Sequence, residues 1–247
     1  MRKPFIGGNW KCNGTRLSVK NLVNILNSYT NFNNIDVVCA PTTLHLDYVY
    51  NNINPCYKLA IQNVWKSPTN GAYTGEITPD MVADFGIDWV IIGHSERRHK
   101  VAKETNKLLL DKVTSSLNSR LKVIYCVGET LEEREANKTY AVIKKQLMFL
   151  LHNLKHNQWN NIVIAYEPVW AIGTGKNATP EQANDVHGYI RSLFYQLKDS
   201  IRIIYGGSVK PSNSHALIEM PNIDGFLVGG CSLKRDFLDI IDIVSNY

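Results

Sequence analysis

Several reactive side chains stand at the ends of short apolar runs in this chain. Glu167 closes the run Ile162–Glu167 and precedes Pro168, which biases its backbone toward extended geometry. A carboxylate held there is a candidate base. His94, followed by Ser95 and Glu96, ends the run Trp89–Gly93 and supplies an imidazole, the side chain best suited to moving protons near neutral pH. Asn9 and Lys11 end the first run and add an amide and an ammonium. Two later runs end in Gly206-Gly207-Ser208 and Gly229-Gly230. Glycines let backbone N–H groups approach an anion closely, and a helix start adds a favourable dipole. A base, an imidazole, an ammonium and an anion cradle imply acid–base chemistry on a small phosphorylated molecule. Singly, each has a plainer reading: a solvated lysine, a hydrogen-bonded histidine, a salt-bridged glutamate, simple turns. Cys126, before Glu129 at the fifth run, reads as a buried packing thiol. The combination is more specific than any member.

The segment Pro168-Val-Trp-Ala-Ile-Gly-Thr-Gly-Lys176 has a proline at one end, glycines and a lysine at the other, and an apolar middle. Those are features of a lid that hinges over a ligand. It is not a Walker A loop, because Trp170 stands where the leading glycine belongs and Asn177 where Ser or Thr must follow the lysine. Gly173-x-Gly175-x-x-Ala178 fits a dinucleotide fingerprint only formally. It does not directly follow its strand, and no acidic residue ends a following strand about 20 residues later.

The elements that must position these groups are strands alternating with amphipathic helices. The runs Phe5–Trp10, Val37–Ala40, Lys58–Asn63, Trp89–Gly93, Leu121–Val127, Ile162–Glu167, Ile201–Gly206 and Gly225–Gly229 read as parallel strands covered on both faces. Between them Val19, Leu22, Val23 and Leu26 fall at helical spacing, as do Leu110, Val113 and Leu117, and a longer stripe of Ala183, Val186, Ile190, Leu193 and Leu197. Thr179-Pro180 with Gln182, Thr130 with Glu133, and Thr78-Pro79 mark helix starts, and Gly86 a stop. Eight such units predict an α/β fold, a (β/α)8 barrel of eight parallel strands with an outer ring of helices, forming one domain over residues 1–247. An open doubly wound sheet is the competing architecture. In a barrel the polar strand exits converge on one mouth.

Composition excludes other classes. The 247 residues are 44% hydrophobic and 20% charged, as in ordinary folded proteins, so disorder and coiled coil are excluded. No stretch approaches the roughly 18 apolar residues of a membrane span, and the first residues turn polar before a signal-peptide core forms. The expected compartment is the cytoplasm. The net charge of +5 is spread along the chain rather than gathered in a stripe, which argues against nucleic acid and suits a small anionic substrate. Five widely spaced cysteines without a C-x-x-C point to reduced thiols, not a disulfide framework or a zinc site.

Seven ordered segments carry a family resemblance over essentially the whole chain. They are Gly-Gly-Asn9-Trp-Lys11-Cys-Asn-Gly14, Gly71-Ala-Tyr-Thr74-Gly-Glu76, Ile-Ile-Gly-His94-Ser-Glu96-Arg-Arg98, Cys126-x-Gly-Glu-Thr-Leu-Glu-Glu-Arg134-Glu, Tyr166-Glu-Pro-Val-Trp-Ala-Ile-Gly-Thr-Gly-Lys176, Tyr205-Gly-Gly-Ser208-Val and Gly225-Phe-Leu-Val-Gly-Gly230. With them the chain resembles the triosephosphate isomerases. The resemblance implies interconversion of dihydroxyacetone phosphate and D-glyceraldehyde 3-phosphate through an enediolate, in glycolysis and gluconeogenesis, without metal or organic cofactor. Glu167 would be the base. His94 would polarise the carbonyl while neutral, and a neutral histidine at a helix start is the known case of this family. Lys11 would stabilise the enediolate, Asn9 would orient its oxygens, and Glu96 would position the site. Backbone N–H groups of Gly173, Ser208, Gly229 and Gly230 would hold the phosphate under a lid at 168–176. The resemblance also implies a homodimer, in which Thr74 on a loop at 64–76 braces the partner's Asn9 and the partner's His94, with Cys12 near the contact.

Four departures from the family pattern stand out. Cys231 replaces a small residue beside the phosphate turn, and Asn177 replaces a threonine at the second lid hinge. The stretch Arg98–Glu104 is one residue longer, and the link before strand seven is shorter. A different phosphate-binding barrel enzyme, such as an aldolase or sugar-phosphate isomerase, is the alternative, and a non-catalytic binding scaffold is another. A Schiff-base aldolase needs a lysine inside the barrel. Lys58 and Lys122 lie in strands but lack neighbouring motifs.

Overall fold

In the computed structural model, which describes residues 2–172 and 178–247, eight parallel strands close into a barrel. They are β1 (Phe5–Asn9), β2 (Asp36–Ala40), β3 (Lys58–Ile61), β4 (Trp89–Ile92), β5 (Lys122–Val127), β6 (Ile162–Tyr166), β7 (Arg202–Tyr205) and β8 (Gly225–Val228). Each pairs with the next in chain order. β8 returns to β1 in the register Phe5↔Gly225 to Gly8↔Val228, so no edge is left open. Helices α1 (Arg16–Asn27), α2 (Leu46–Asn52), α3 (Pro79–Asp84), α4 (Asn106–Asn118), α5 (Leu131–Glu135), α6 (Thr139–Asn153), α7 (Pro180–Ser192), α8 (Pro211–Ile218) and α9 (Asp236–Ser245) fill the connections. This is the (β/α)8 barrel that the sequence predicts, and the open doubly wound sheet is excluded. None of the described helices is long and apolar enough to cross a membrane.

The expected helix starts are present as hydrogen bonds. Thr179 Oγ1 accepts from the Gln182 N–H at 3.2 Å while Gln182 Oε1 accepts from the Thr179 N–H at 3.1 Å. Thr130 and Glu133 make the same reciprocal pair, and Thr78 caps α3 through the Met81 N–H. On α1, Val19, Leu22, Val23 and Leu26 are all buried. The stripe running to Leu197 is broken: α7 ends at Ser192, and Leu197 belongs to a separate turn, Tyr195–Leu197. Tyr195 enters that turn at φ +29°, which no helix continues through.

Strand alternation sorts the interior. Trp89 and Ile91 of β4 point into the barrel with Ile124 and Cys126 of β5, Val163 and Ala165 of β6, and Ile204 of β7. Their neighbours Val90, Ile92, Val123, Tyr125, Ile164 and Tyr166 pack outward against the helices. At the amino-terminal end the rings of Phe5 and Trp89 meet at 5.0 Å, and the Arg202 guanidinium lies 5.3 Å and 5.8 Å from their centroids. The apolar runs overshoot several strands: Gln62, Asn63, Gly93 and Gly229 lie beyond their strands' ends, while Trp10, Glu167 and Gly206 each keep one further interstrand bond, from their N–H groups to the Ala40, Val127 and Tyr166 carbonyls.

Below the β7–β8 pair, Asp224 ties three elements together. Its Oδ1 accepts from Arg2 Nε at 2.6 Å, and its Oδ2 accepts from Arg191 Nη2 at 2.8 Å and from the Ile203 N–H at 2.7 Å. Arg191 also donates to the carbonyls of Lys198, Ile201 and Asn222. Removing the carboxylate strands a buried guanidinium. Asp224→Ala is therefore expected to cost about 3–5 kcal/mol of folding free energy in urea unfolding. A loss under about 1 kcal/mol, the scale of an exposed pair, would show that the network is only surface decoration.

Candidate active site

The inward phase of the strands delivers the polar groups to one place. In β1 Phe5 and Gly7 face inward, and the same two-residue step continues to Asn9 and Lys11. In β6 the step from Val163 and Ala165 reaches Glu167; in β7 Ile204 leads to Gly206, and in β8 Leu227 leads to Gly229. His94 lies off this phase. It reaches the mouth because Gly93 turns the chain at φ +78°, a region open to glycine. The buried Arg98 locks that turn, donating from Nε to the Gly93 carbonyl at 2.7 Å and from Nη2 to the Cys126 carbonyl at 2.9 Å.

Asn9, Lys11, His94, Glu167, Ser208, Gly229 and Gly230 all line one cleft of about 370 Å³. His94 Nε2 lies 2.9 Å from Glu167 Oε1. Glu167 Oε2 accepts the Ser95 N–H at 2.8 Å. His94 Nδ1 accepts the Glu96 N–H at 3.3 Å, which assigns the ring proton to Nε2, so the imidazole donates to Glu167. Ser95 and Glu96 lead into the helical turn Arg97–Val101, so the free N–H groups at its start serve the site. Lys11 Nζ donates to Glu96 Oε1 at 2.8 Å. Lys11 sits at φ +54°, strained for a side chain with a Cβ. Two side chains hold it there: Asn9 Oδ1 accepts the Lys11 N–H at 3.0 Å, and Gln62 Nε2 donates to the Lys11 carbonyl at 2.8 Å. A Cβ on Gly206 would lie 2.9 Å from Glu167 Cγ, so only glycine leaves that carboxylate its place.

Charges in the mouth are matched. Burial works against the Glu96 carboxylate, but Lys11 and His94 more than offset it and hold its pKa below the usual carboxylate range. Burial also lowers the His94 pKa, yet the Glu167 carboxylate against Nε2 outweighs it and raises the value above that of an ordinary imidazole. Lys11 opposes that rise and Glu96 adds a little to it. The elevation thus depends on Glu167 staying where it is.

A second cluster holds the start of the 168–176 segment. Glu129 is fully buried, and its Oε1 accepts from Trp170 Nε1 at 2.9 Å and from Arg134 Nη1 at 3.2 Å. Tyr166 Oη donates to the same carboxylate at 3.1 Å, and the Arg134 guanidinium lies 4.3 Å from the Trp170 ring centroid. Ser208 Oγ donates to the Ala171 carbonyl at 3.0 Å, tying the β7 exit to that segment. Gly173, expected at the phosphate, and Lys176 and Asn177 at the second hinge lie outside the described residues.

Other sequence expectations find these places. Glu96 sits on the far side of Lys11, in an adjoining cleft of about 420 Å³ that also takes in Cys12, Gln62, Glu76 and Val101. Thr74 and Cys12 are exposed. Cys126 is fully buried and desolvation pushes its thiol well above the ordinary range, as a packing thiol requires. Cys231 lines the cleft beside Gly230. Sequence reasoning passed over Gln62, a lone amide with no motif around it. It singled out Glu129 only as a strand exit, although that carboxylate accepts from Trp170, Tyr166 and Arg134 together. Among the described residues no group of three His, Cys, Asp or Glu side chains could hold a metal ion.

A barrel whose carboxyl mouth opposes a carboxylate to an imidazole, next to two glycine turns, defines an acid–base enzyme of the phosphate-handling (β/α)8 class. Within that class the assignment is specific. The triosephosphate isomerase family model matches residues 4–244, and the chain belongs to that family: it is an isomerase of triose phosphates.

The His94–Glu167 contact makes a prediction. Glu167→Gln removes the charge that raises the His94 pKa and leaves burial and Lys11, which lower it. The imidazole should therefore titrate at lower pH in the variant than in the parent, followed by NMR of the ring. An unchanged or higher titration midpoint would refute the coupling.

Proposed function

We propose that Glu167 is the base of the isomerisation, His94 its electrophile and Lys11 its charge stabiliser. The observation that carries the reading is the 2.9 Å contact of His94 Nε2 with Glu167 Oε1 beside Lys11, in the cleft lined by Gly229 and Gly230. In the resting site the donors that reach the Glu167 carboxylate are the Ser95 N–H and the His94 ring. A substrate carbonyl oxygen takes the place of Glu167 on His94 Nε2, freeing the carboxylate to take a proton from the neighbouring carbon. The C–H electrons form the carbon–carbon double bond of an enediolate, whose oxygen charge faces the Lys11 ammonium and His94 Nε2–H. Glu167 then returns the proton to the adjacent carbon, and His94 carries a proton between the two oxygens. Asn9 orients those oxygens. With Glu167 turned to carbon, burial and Lys11 keep the imidazole neutral, the form that donates without surrendering a full charge.

The phosphate is held by backbone N–H groups of Ser208, Gly229 and Gly230, with Gly173 completing the set. Residues 168–176 close over it as a lid. Closure keeps water from the enediolate. The reaction needs no metal or organic cofactor. The chain works as a single barrel domain over 1–247, in the cytoplasm, in glycolysis and gluconeogenesis.

The enzyme works as a homodimer. Exposed Val101, at 74%, lines the cleft beside Lys11; Leu44, 87% exposed, directly follows Thr43 of that cleft, and Thr74 lies on an exposed loop. Apolar groups so placed favour a covered surface. Thr74 of each subunit braces the other's catalytic mouth, and Cys12 lies at that contact.

Two measurements test the reading. Glu167→Gln should lower kcat for D-glyceraldehyde 3-phosphate by roughly 10²–10⁴ or more while affinity for inorganic phosphate holds within about threefold. Near-parental turnover would remove Glu167 from the role of base. Alkylating Cys12 should shift the sedimentation of the protein from dimer to monomer; a dimer that survives complete alkylation counts against the interface.

A further inference from the structure

Away from the catalytic mouth, a cleft of about 350 Å³ opens between α4 and α6. Arg98 and Asn106 line one side of it, and Lys138, Ala141, Val142 and Lys145 the other. Only 9% of Arg98 is exposed. Its guanidinium donates to neutral oxygens, the Gly93 carbonyl at 2.7 Å, the Cys126 carbonyl at 2.9 Å and Asn106 Oδ1 at 2.8 Å, and the Tyr125 ring centroid lies 5.4 Å away. Among the described residues no carboxylate pairs with Arg98, nor with Lys138 or Lys145. A cation taken out of water calls for a counter-charge. The helices reinforce the same sign. α4 and α6, of 13 and 15 residues, both bring their first turns to the cleft, and neither carries an acidic residue there. No side chain caps α6, so its first N–H groups lack a capping acceptor. Two carboxylates share the wall and both are engaged: Glu104 accepts from Arg97 and Lys112, and Glu133 from the Thr130 N–H.

We propose that the α4–α6 cleft is a second anion site, separate from the catalytic mouth, that takes a tetrahedral oxyanion of the phosphate or sulfate class. The anion supplies the counter-charge that Arg98 lacks. A guanidinium suits such a ligand in shape and charge, and uncapped N–H groups at a helix start suit its oxygens. Lys138 and Lys145 add mobile charge from the α6 side. Asn106 is the residue that leaves the site open. Its amide oxygen satisfies a hydrogen bond of Arg98 Nη1 without neutralising the guanidinium, whereas a carboxylate at the same position would do both. Nothing in this reading depends on Glu167 as the base or on the glycine turns as the phosphate cradle.

The test titrates inorganic phosphate into the isotope-labelled enzyme at constant ionic strength, with chloride as the balancing anion, and follows backbone amides by NMR. Amides of 139–141 and 106–107 report the cleft, and those of Ser208, Gly229 and Gly230 report the mouth. In the parent the cleft amides should saturate with a dissociation constant on the order of 1–10 mM. Asn106→Asp should weaken that binding roughly tenfold or more, because the site then holds its own counter-charge. Lys138→Met/Lys145→Met should weaken it roughly three- to tenfold, and the control Lys20→Met, on the exposed side of α1, by less than about twofold. The mouth amides should titrate alike in all four proteins, which also shows that each variant is folded. Sulfate should move the cleft amides as phosphate does. Glycerol 2-phosphate separates the sources: the same shifts assign a phosphate group carried on a small molecule, and a response to the inorganic ions alone assigns the free oxyanion. Cleft amides that do not saturate, that respond equally to chloride, or that titrate identically in the parent and Asn106→Asp overturn the site.

Discussion

Closure of eight parallel strands dictates which side chains can meet. A closed barrel has no edge, and alternate residues must point either to the axis or to the helices. The inward set is apolar from Phe5 to Ala165 until the strands end. One step further along the same phase the set becomes Asn9, Lys11, Glu167, Gly206 and Gly229. Apart from His94, which Gly93 turns into the mouth, the polar set is the last inward layer of the core, at the end where the strands stop excluding water.

That layer must hold charge in a place that resists it. Glu167 is 2% exposed and His94 6%, so neither could keep polar atoms there without partners. The partners come from backbone that another fold would leave to solvent. The chain turns sharply at Gly93, and the first N–H groups of the following turn go to Glu167 and to His94 Nδ1. Arg98 pins the turn to β5 through the Cys126 carbonyl, which fixes these donors. The strained backbone of Lys11 follows the same logic. Asn9 and Gln62 brace it from both sides, because an ammonium must cross from β1 to Glu96 rather than follow the strand outward.

Much of this was legible in the sequence because barrel strands are short apolar runs and their exits are chemically distinct. Glu167 before Pro168, His94 after Gly93, and the paired glycines after β7 and β8 each break a β-branched run with a polar or flexible residue. Boundaries were less legible. A run of apolar residues does not say where the ladder stops, so Gln62 and Asn63 were read as strand although their backbones have already turned. Gln62 left no trace because a single amide becomes significant only through what it touches in space. The same holds for Glu129: its carboxylate sits in an acidic stretch that reads as the start of a helix, while its partners Tyr166 and Trp170 arrive from β6 and beyond.

The balance of charge in the barrel mouth explains why the resting site is stable and yet ready to react. Each charged group needed for proton transfer is already paired with another group of the site: Lys11 with Glu96, and Glu167 with His94. Such pairing lowers the cost of keeping them dry, but it also occupies the donors that a carbonyl oxygen requires. A neutral ligand entering the cleft would have to break these pairs and would offer little in return. In the proposed mechanism a phosphorylated carbonyl compound brings its own anion to the glycine turns and an oxygen acceptor to His94. It would then displace Glu167 toward carbon while leaving every buried donor satisfied. On that proposal the favourable exchange belongs to a ligand with both groups at the right separation, so recognition of the phosphate and release of the base would be parts of one rearrangement.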